Sequence, residues 1–474
     1  MRITSRLIQP ARQPARQLPG MALVALLLAG FACGSLAQAA SKDEPMDQVF
    51  LAWARQNLQP ITSVGPDASL SDLEPLRGMI GGAQVVSFGE GLHGGAEPLE
   101  FRNLLFRFLV EKMGFTAMGI ESGIIEGFGV NEYVLGGSDD LASTVAQGFT
   151  FGFNRYPQEA TLVEWMRGYN SDAEHARDIQ FYGFDVPPDD PKIALEGALK
   201  YLDGVDPAAA TELHSRVDAM LPMLNLNRFK DEPNQYAQLT QAQRDQLTAA
   251  IVDLITLFKI HQASYTAATS ILDYDFAFQS AVVALQVDEY LRQVPVGWTP
   301  QAGMEAIKGT ITVSDRSKAD NAYWMKEQQG PGGKLLLFAH RDHIATALTS
   351  IRIPEGNPFG LPPAVMPLPP MMGTFLQSRY GTNLVTIGNL LAEDNSKCQQ
   401  NRAPAPGSSL EGLLATLDTP FFLLDLRRAP PDLADWLQQP RELYGIDLPD
   451  TLSVGQAFDI IFFSRQVMPA AQCR

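Results

Sequence analysis

The chain has 474 residues, 45% of them hydrophobic and 19% charged, a balance that fits a globular protein long enough to bury a large core. Its 53 acidic and 36 basic residues give a formal net charge of −17, which excludes the basic footprint of a nucleic-acid binder. An acidic surface of this size favours solubility and slows the approach of anionic substrates.

The first 39 residues read as a secretory signal. Arg2, Arg6, Arg12 and Arg16 form a basic leader, the run from Met21 to Ala32 is apolar, and Ala37-Gln38-Ala39 offers a small-x-small cleavage site. The apolar run falls short of the roughly 20 residues that a spanning helix needs. A freely soluble exported protein, periplasmic or secreted, is therefore expected, with no stable membrane anchor; the alternative is an anchored one. Cleavage would remove Cys33 and four arginines, leaving a mature charge of about −21. Cys398 and Cys473 then remain, and in an oxidising compartment they are expected to pair, tying the C-terminal tail to the loop after Leu384–Ile387; two free thiols are the alternative.

From residue 40 to 190, short apolar runs at Gln84–Phe88, Thr116–Ile120 and Ile179–Phe184 alternate with helix-spaced stretches containing Leu104 and Phe108, then Leu162, Trp165, Met166 and Tyr169. The interval 191–313 has few strand-like runs and many helix formers and is expected to be a helical insertion, broken near Pro222 and the Pro295/Pro299 pair. From 314 to 474 the strand-like runs return at Lys334–Ala339, Leu384–Ile387, Phe421–Leu424 and Phe458–Phe463, with a long Pro-rich loop from Ile353 to Pro370. Continuous apolar strands alternating with helices predict an α/β fold: a mostly parallel sheet covered by helices, with the insertion packed over its C-terminal strand edge.

The polar ends of these runs locate the chemistry. Gly89-Glu90-Gly91-Leu92-His93 leaves the first strand, Glu121 closes the second, Asp185 the third and His340 the fourth, with His343 just beyond. In a parallel sheet those ends share one edge, where open α/β sheets bind their ligands. Any one of these residues has a structural reading: Glu121 as a helix cap, Asp185 as a turn anchor, a lone His as a structural one. Together they hold three of the chain's six histidines, and a shared site is the better reading. His175, His214 and His261 lie in helical stretches without acidic or glycine-turn company and are expected at the surface.

Ordered blocks carry a resemblance. They are Gly89-Glu90-x-x-His93-Gly94, Phe101-Arg102, Leu105 to Glu111, Ile120-Glu121, Leu162 to Arg167, Phe181 to Asp185, Ala319-x-Asn321, Ala339-His340-x-x-His343 and Phe422 to Arg427. In these the chain resembles the erythromycin esterase family. The resemblance implies hydrolysis of a carboxylic ester or lactone, of which macrolide lactones are the family's example, by a His-activated water without a required cofactor or metal. It implies His93 as general base, Glu90 and Glu121 orienting the base and the water, Arg102 polarising substrate, and His340 and His343 completing the pocket. Asp185 and Arg341 are expected to touch substrate.

The chain departs from the family pattern at three places. Arg341 stands where an Asn is usual, Ser314 where an Arg precedes Asp315, and Phe151 to Tyr156 replaces a tryptophan-rich block. No Gly-x-Ser-x-Gly elbow supports a serine nucleophile. Two other classes stay open: a non-catalytic protein that binds a small molecule or envelope component, and a metal-dependent hydrolase using the same Glu and His donors, although the sequence has no His-Glu-x-x-His helix.

Overall fold

The structure, a computed structural model, describes residues 44–471 apart from 139, 187–189, 226–234, 295–299, 354, 356–361, 397–402 and 445–449. The expected leader and Cys33, Cys398 and Cys473 lie outside the described residues. The strands, in chain order, are β1 (Gln59–Pro60), β2 (Val85–Glu90), β3 (Ala117–Gly123), β4 (Gln180–Asp185), β5 (Leu335–His340) and β6 (Leu348–Ile353). There follow β7 (Ala364–Pro367), β8 (Leu384–Asp394), β9 (Phe421–Asp425), β10 (Arg441–Glu442), β11 (Asp450–Leu452) and β12 (Ile460–Val467).

Eight strands build one sheet in the order β1-β9-β12-β8-β2-β5-β3-β4. The six from β12 to β4 are parallel, while β9 pairs antiparallel with β12 and β1 antiparallel with β9. β2 is buried along its whole length, as a strand covered on both faces must be. Its side chains alternate between two cores. Val86 and Phe88 pack with Phe101, Leu105 and Phe108 of helix Ala96–Met113, whereas Val85 packs with Phe50, Ala322 and Met325 on the other face. Each such fully buried apolar side chain stabilises the sheet by about 1.5–3 kcal/mol.

Between β4 and β5 the described chain is helical: Ile193–Val205, Pro207–Val217, Gln241–Ala268, Ile271–Arg292 and Pro300–Gln328. The first four share a core around Leu195, Leu254, Phe258 and Val287 that also takes in Ile124 and Val186, just past β3 and β4. That contact sets the helices over the C-terminal strand ends. Helix Pro300–Gln328 runs straight through the expected boundary at 313–314, and its Ala319, Ala322 and Met325 pack on the sheet.

β10, β11, β6 and β7 form a second, antiparallel sheet. Part of the segment expected as an unstructured loop, Ile353 to Pro370, is therefore strand. Ala364–Pro367 pairs with β6 because Met366 buries itself with Ile351 and Ile353, while Val365 between them stays exposed.

Candidate active site

The turn from β2 into helix Ala96–Met113 is shaped by close packing. A Cβ on Gly89 would lie 2.5 Å from the Arg341 Cα, so only glycine lets the short helix Arg341–Ile344 sit against the strand. Gly94 has φ 83°, the left-handed region that glycine enters without steric cost. Glu90 pairs in register with His340 across β2 and β5, and Glu121 lies on β3, beyond β5. The sheet edge thus gathers Glu90, His93, Glu121, His340 and His343.

On the β2 side the site is open. His93 Nδ1 lies 2.7 Å from Glu90 Oε1; Glu90 is fully buried, but the His93 side chain is 55% exposed. Desolvation raises the Glu90 pKa above the usual carboxylate range. The protein around His93 disfavours its charged form, but the Glu90 hydrogen bond and charge outweigh this and raise its pKa. The other Glu90 oxygen, Oε2, is buried with no hydrogen-bond partner. The His93 ring lies 5.1 Å from the His340 ring and meets the Phe153 ring edge-on at 6.1 Å. Phe153 belongs to the block that departs from the family pattern. It follows a backbone kink at Phe151 and Gly152, with φ 55° and 81°.

His340 caps the helix Arg341–Ile344, its Nδ1 accepting the Asp342 N–H at 3.3 Å. Burial, followed by the nearby His93 and Arg341 charges, holds its pKa well below the ordinary histidine range. His340 is therefore neutral, and with Nδ1 accepting, its proton sits on Nε2.

The β3 side is closed. Glu121 Oε2 accepts the His340 backbone N–H at 2.8 Å and Oε1 lies 3.0 Å from His343 Nε2, so both oxygens are committed. His343 Nδ1 meets Asp315 Oδ1 at 2.8 Å, leaving neither ring nitrogen free. Burial opposes the His343 charge, but Asp315 and Glu121 outweigh it and push its pKa up to about 10. Glu121 moves the other way. Burial works against its charge, but His343, Lys318 and His93 hold its carboxyl well below the usual range.

The three residues expected at the substrate, Arg102, Arg341 and Asp185, are all buried. Arg102 has no exposed surface: its guanidinium donates to Glu159 Oε1 at 2.8 Å and to Asn103 Oδ1, and it lies over the Phe338 ring. Arg341 is equally buried, paired with both Asp450 oxygens at 3.1 and 3.3 Å and with the Tyr444 carbonyl. Each arginine is fully buried and paired with a buried carboxylate. Asp185 is nearly buried, accepting from the Val186 N–H and pairing with Lys318 Nζ at 3.0 Å.

Lys318 and Asp315 complete the site without having been singled out from the sequence. Asp315, Lys318, Ala322 and Met325 share one face of helix Pro300–Gln328 at helical spacing, and the structure buries that face, which places the polar pair in line with the apolar residues that meet the sheet. The remaining histidines lie elsewhere: His175 stacks on Tyr169, His261 on Tyr265, and His214 pairs with Asp203 and Asp218. Among the described residues no group of three or more His, Cys, Asp or Glu side chains is arranged to hold a metal ion. A cavity of about 290 Å³ lies off this site, lined by Leu104, Arg107, Gln158, Leu162 and Trp165 among others.

The erythromycin esterase sequence profile matches residues 110–467, most of the chain. The chain belongs to the erythromycin esterase family. Family membership supports a hydrolase with a small-molecule substrate. The erythromycin esterase type II of Escherichia coli is 28% identical over 303 residues, covering 62% of this chain and 68% of that protein. A Bacillus cereus crystal structure superposes with a TM-score of 0.73 at 20% identity, covering 90% of this chain and 99% of that one. A mutant of the erythromycin esterase EreC in its open conformation gives a TM-score of 0.61 at 17% identity, covering 87% and 98% of the two chains. The family fold is thus shared from end to end of the solved relatives.

Proposed function

We propose that this member of the erythromycin esterase family hydrolyses a carboxylic ester or lactone by direct attack of water, with His93 as general base. The observation that carries the proposal is the pairing of His93 Nδ1 with a fully buried Glu90 carboxylate at 2.7 Å while the ring remains 55% exposed. Glu90 accepts the Nδ1 proton and fixes the tautomer, so the Nε2 lone pair is the one available to water. Nε2 takes a proton as the water oxygen bonds to the substrate carbonyl carbon, and the carbonyl electrons move onto oxygen. When the tetrahedral adduct collapses, the carbon–oxygen bond to the alcohol portion breaks and His93 returns its proton to the departing oxygen. In a lactone both products remain one opened molecule.

The developing oxyanion needs a donor, and the buried arginines do not supply one. The neutral His340, with its proton on Nε2 and its ring 5.1 Å from His93, fits that role. Glu121 acts through another residue, accepting the His340 backbone N–H, and His343 holds Glu121 in place. The basic, then apolar, then small-residue pattern of residues 1–39 supports export to the periplasm or medium as part of the same proposal. Among the described residues no helix is long and apolar enough to cross a membrane.

The test is turnover of a panel of lactones and simple carboxylic esters by the purified protein, run in ¹⁸O-labelled water. The proposal expects label in the acid product within a single turnover and loss of that activity in His93→Ala. No turnover across the panel, or unchanged turnover in His93→Ala, would overturn it.

A further inference from the structure

Lys318 lies in the middle of helix Pro300–Gln328, and only 2% of it is exposed. Removing a lysine ammonium from water is unfavourable unless opposite charges and hydrogen bonds replace the water. Here they do. Lys318 Nζ donates to Ser314 Oγ at 2.7 Å and lies 3.0 Å from Asp185 Oδ2 and 3.9 Å from Glu121 Oε1. Asp315 lies on the same helix and holds His343, which in turn holds Glu121. Three carboxylates, Glu121, Asp185 and Asp315, therefore share two cations, Lys318 and protonated His343. Ser314, one turn before Lys318, sets its hydroxyl between the ammonium and Asp185, accepting from Lys318 Nζ and donating to Asp185 Oδ1 at 3.5 Å.

We propose that Lys318 is the positioning residue that fixes the charge of the β3 side of the site and thereby sets how basic His93 is. Without it, the same three carboxylates face His343 alone and the wall beside His93 becomes more negative by one charge. The groups facing His93 are Glu90 from its own turn, Glu121 from β3, His340 at the end of β5 and His343 from the short helix after it. Neither Glu90 nor His340 contacts Lys318, so the influence of Lys318 passes through the Glu121–His343 pair and through space. A more negative wall stabilises the imidazolium of His93 and makes the neutral base rarer at a given pH.

This inference rests on the reading of His93 as the base, and its test reads His93 directly as well as turnover. In protein carrying ¹³C-labelled histidine, the His93 ring is titrated by NMR, with the resonance assigned by its loss in His93→Gln. Lys318→Met is expected to move the His93 midpoint up by about half a pH unit, the size of effect that one buried charge has through a neighbouring charged pair. Asp185→Asn, which removes a negative charge from the same cluster, is expected to move it down. Lys318→Arg keeps the charge and should leave the midpoint near the native one. The acid limb of the pH–rate profile should follow the same signs.

Opposite shifts from the two neutralising variants support the proposal even if no ester is turned over, in which case only the hydrolytic reading fails. An unmoved His93 midpoint in a folded Lys318→Met protein, or shifts of the same sign in both neutralising variants, would overturn it. If Lys318→Met does not fold, Asp185→Asn and Lys318→Arg still decide. A downward shift with a native-like arginine variant supports the charge account, and any other pair of results contradicts it.

Discussion

The two sides of this site are built from the same kinds of residue and arranged to opposite effect. On the β2 side, Glu90 and His93 make one hydrogen bond through Nδ1, and the His93 side chain is more than half exposed. On the β3 side, Glu121, His343, Asp315, Asp185 and Lys318 leave little uncommitted: both Glu121 oxygens and both His343 nitrogens are bound within the protein. A histidine with one carboxylate remains able to exchange a proton with substrate. A histidine locked between two carboxylates holds its proton to about pH 10 and serves as a fixed charge. Residue type alone does not separate a base from a brace; the number of free lone pairs does.

Removing the open side's base should have the largest effect. His93→Ala is expected to lower turnover by about 10²- to 10⁴-fold, the range for loss of a positioned general base, while urea denaturation shows near-native stability. Equal loss of both would place His93 in the framework. The buried arginine gives the converse. Glu159→Ala leaves Arg102 charged and unpaired in the core, and urea denaturation should show a loss of about 3–5 kcal/mol. If stability stays native while turnover falls, Arg102 belongs to the chemistry after all.

The closed side should reveal itself in the pH dependence of stability. His343 has a raised folded-state pKa, so its stabilising contribution is complete below its ordinary value near 6.5 and is lost as pH rises through about 10. The stability difference between native protein and His343→Gln should therefore shrink steadily between roughly pH 6.5 and 10, measured by denaturation at several pH values. A flat difference would mean that the ring is neutral in the folded state. The smallest effect is expected at the departed aromatic wall. Phe153→Leu removes an edge-on ring contact with His93, a contact of about 0.5–1.5 kcal/mol, and kcat/KM on any substrate found should change by roughly 2- to 10-fold.

The strand ends were legible in the sequence because an apolar run ending in Glu, Asp or His is a local signal. Glu90, Glu121, Asp185 and His340 all sit where those runs stop. The two arginines were not. Arg102 and Arg341 follow the motif residues closely, but their partners Glu159 and Asp450 lie 57 and 109 residues further along the chain. Only the folded packing shows that each cation is already satisfied. Lys318 was hidden for the related reason that a charged residue inside a long helix normally faces water; its burial depends on Asp185 arriving from β4. The strand Ala364–Pro367 was masked by the prolines around it, since its one strongly buried side chain, Met366, finds its partners on β6.

The most direct test of the division between open and closed sides is an NMR titration of the three site histidines in the native protein, which needs no substrate. The account predicts three separate behaviours: His340 staying neutral well below pH 6.5, His93 titrating above 6.5, and His343 holding its proton to about pH 10. Three midpoints clustered near 6.5, or a His93 midpoint below that of His340, would contradict it.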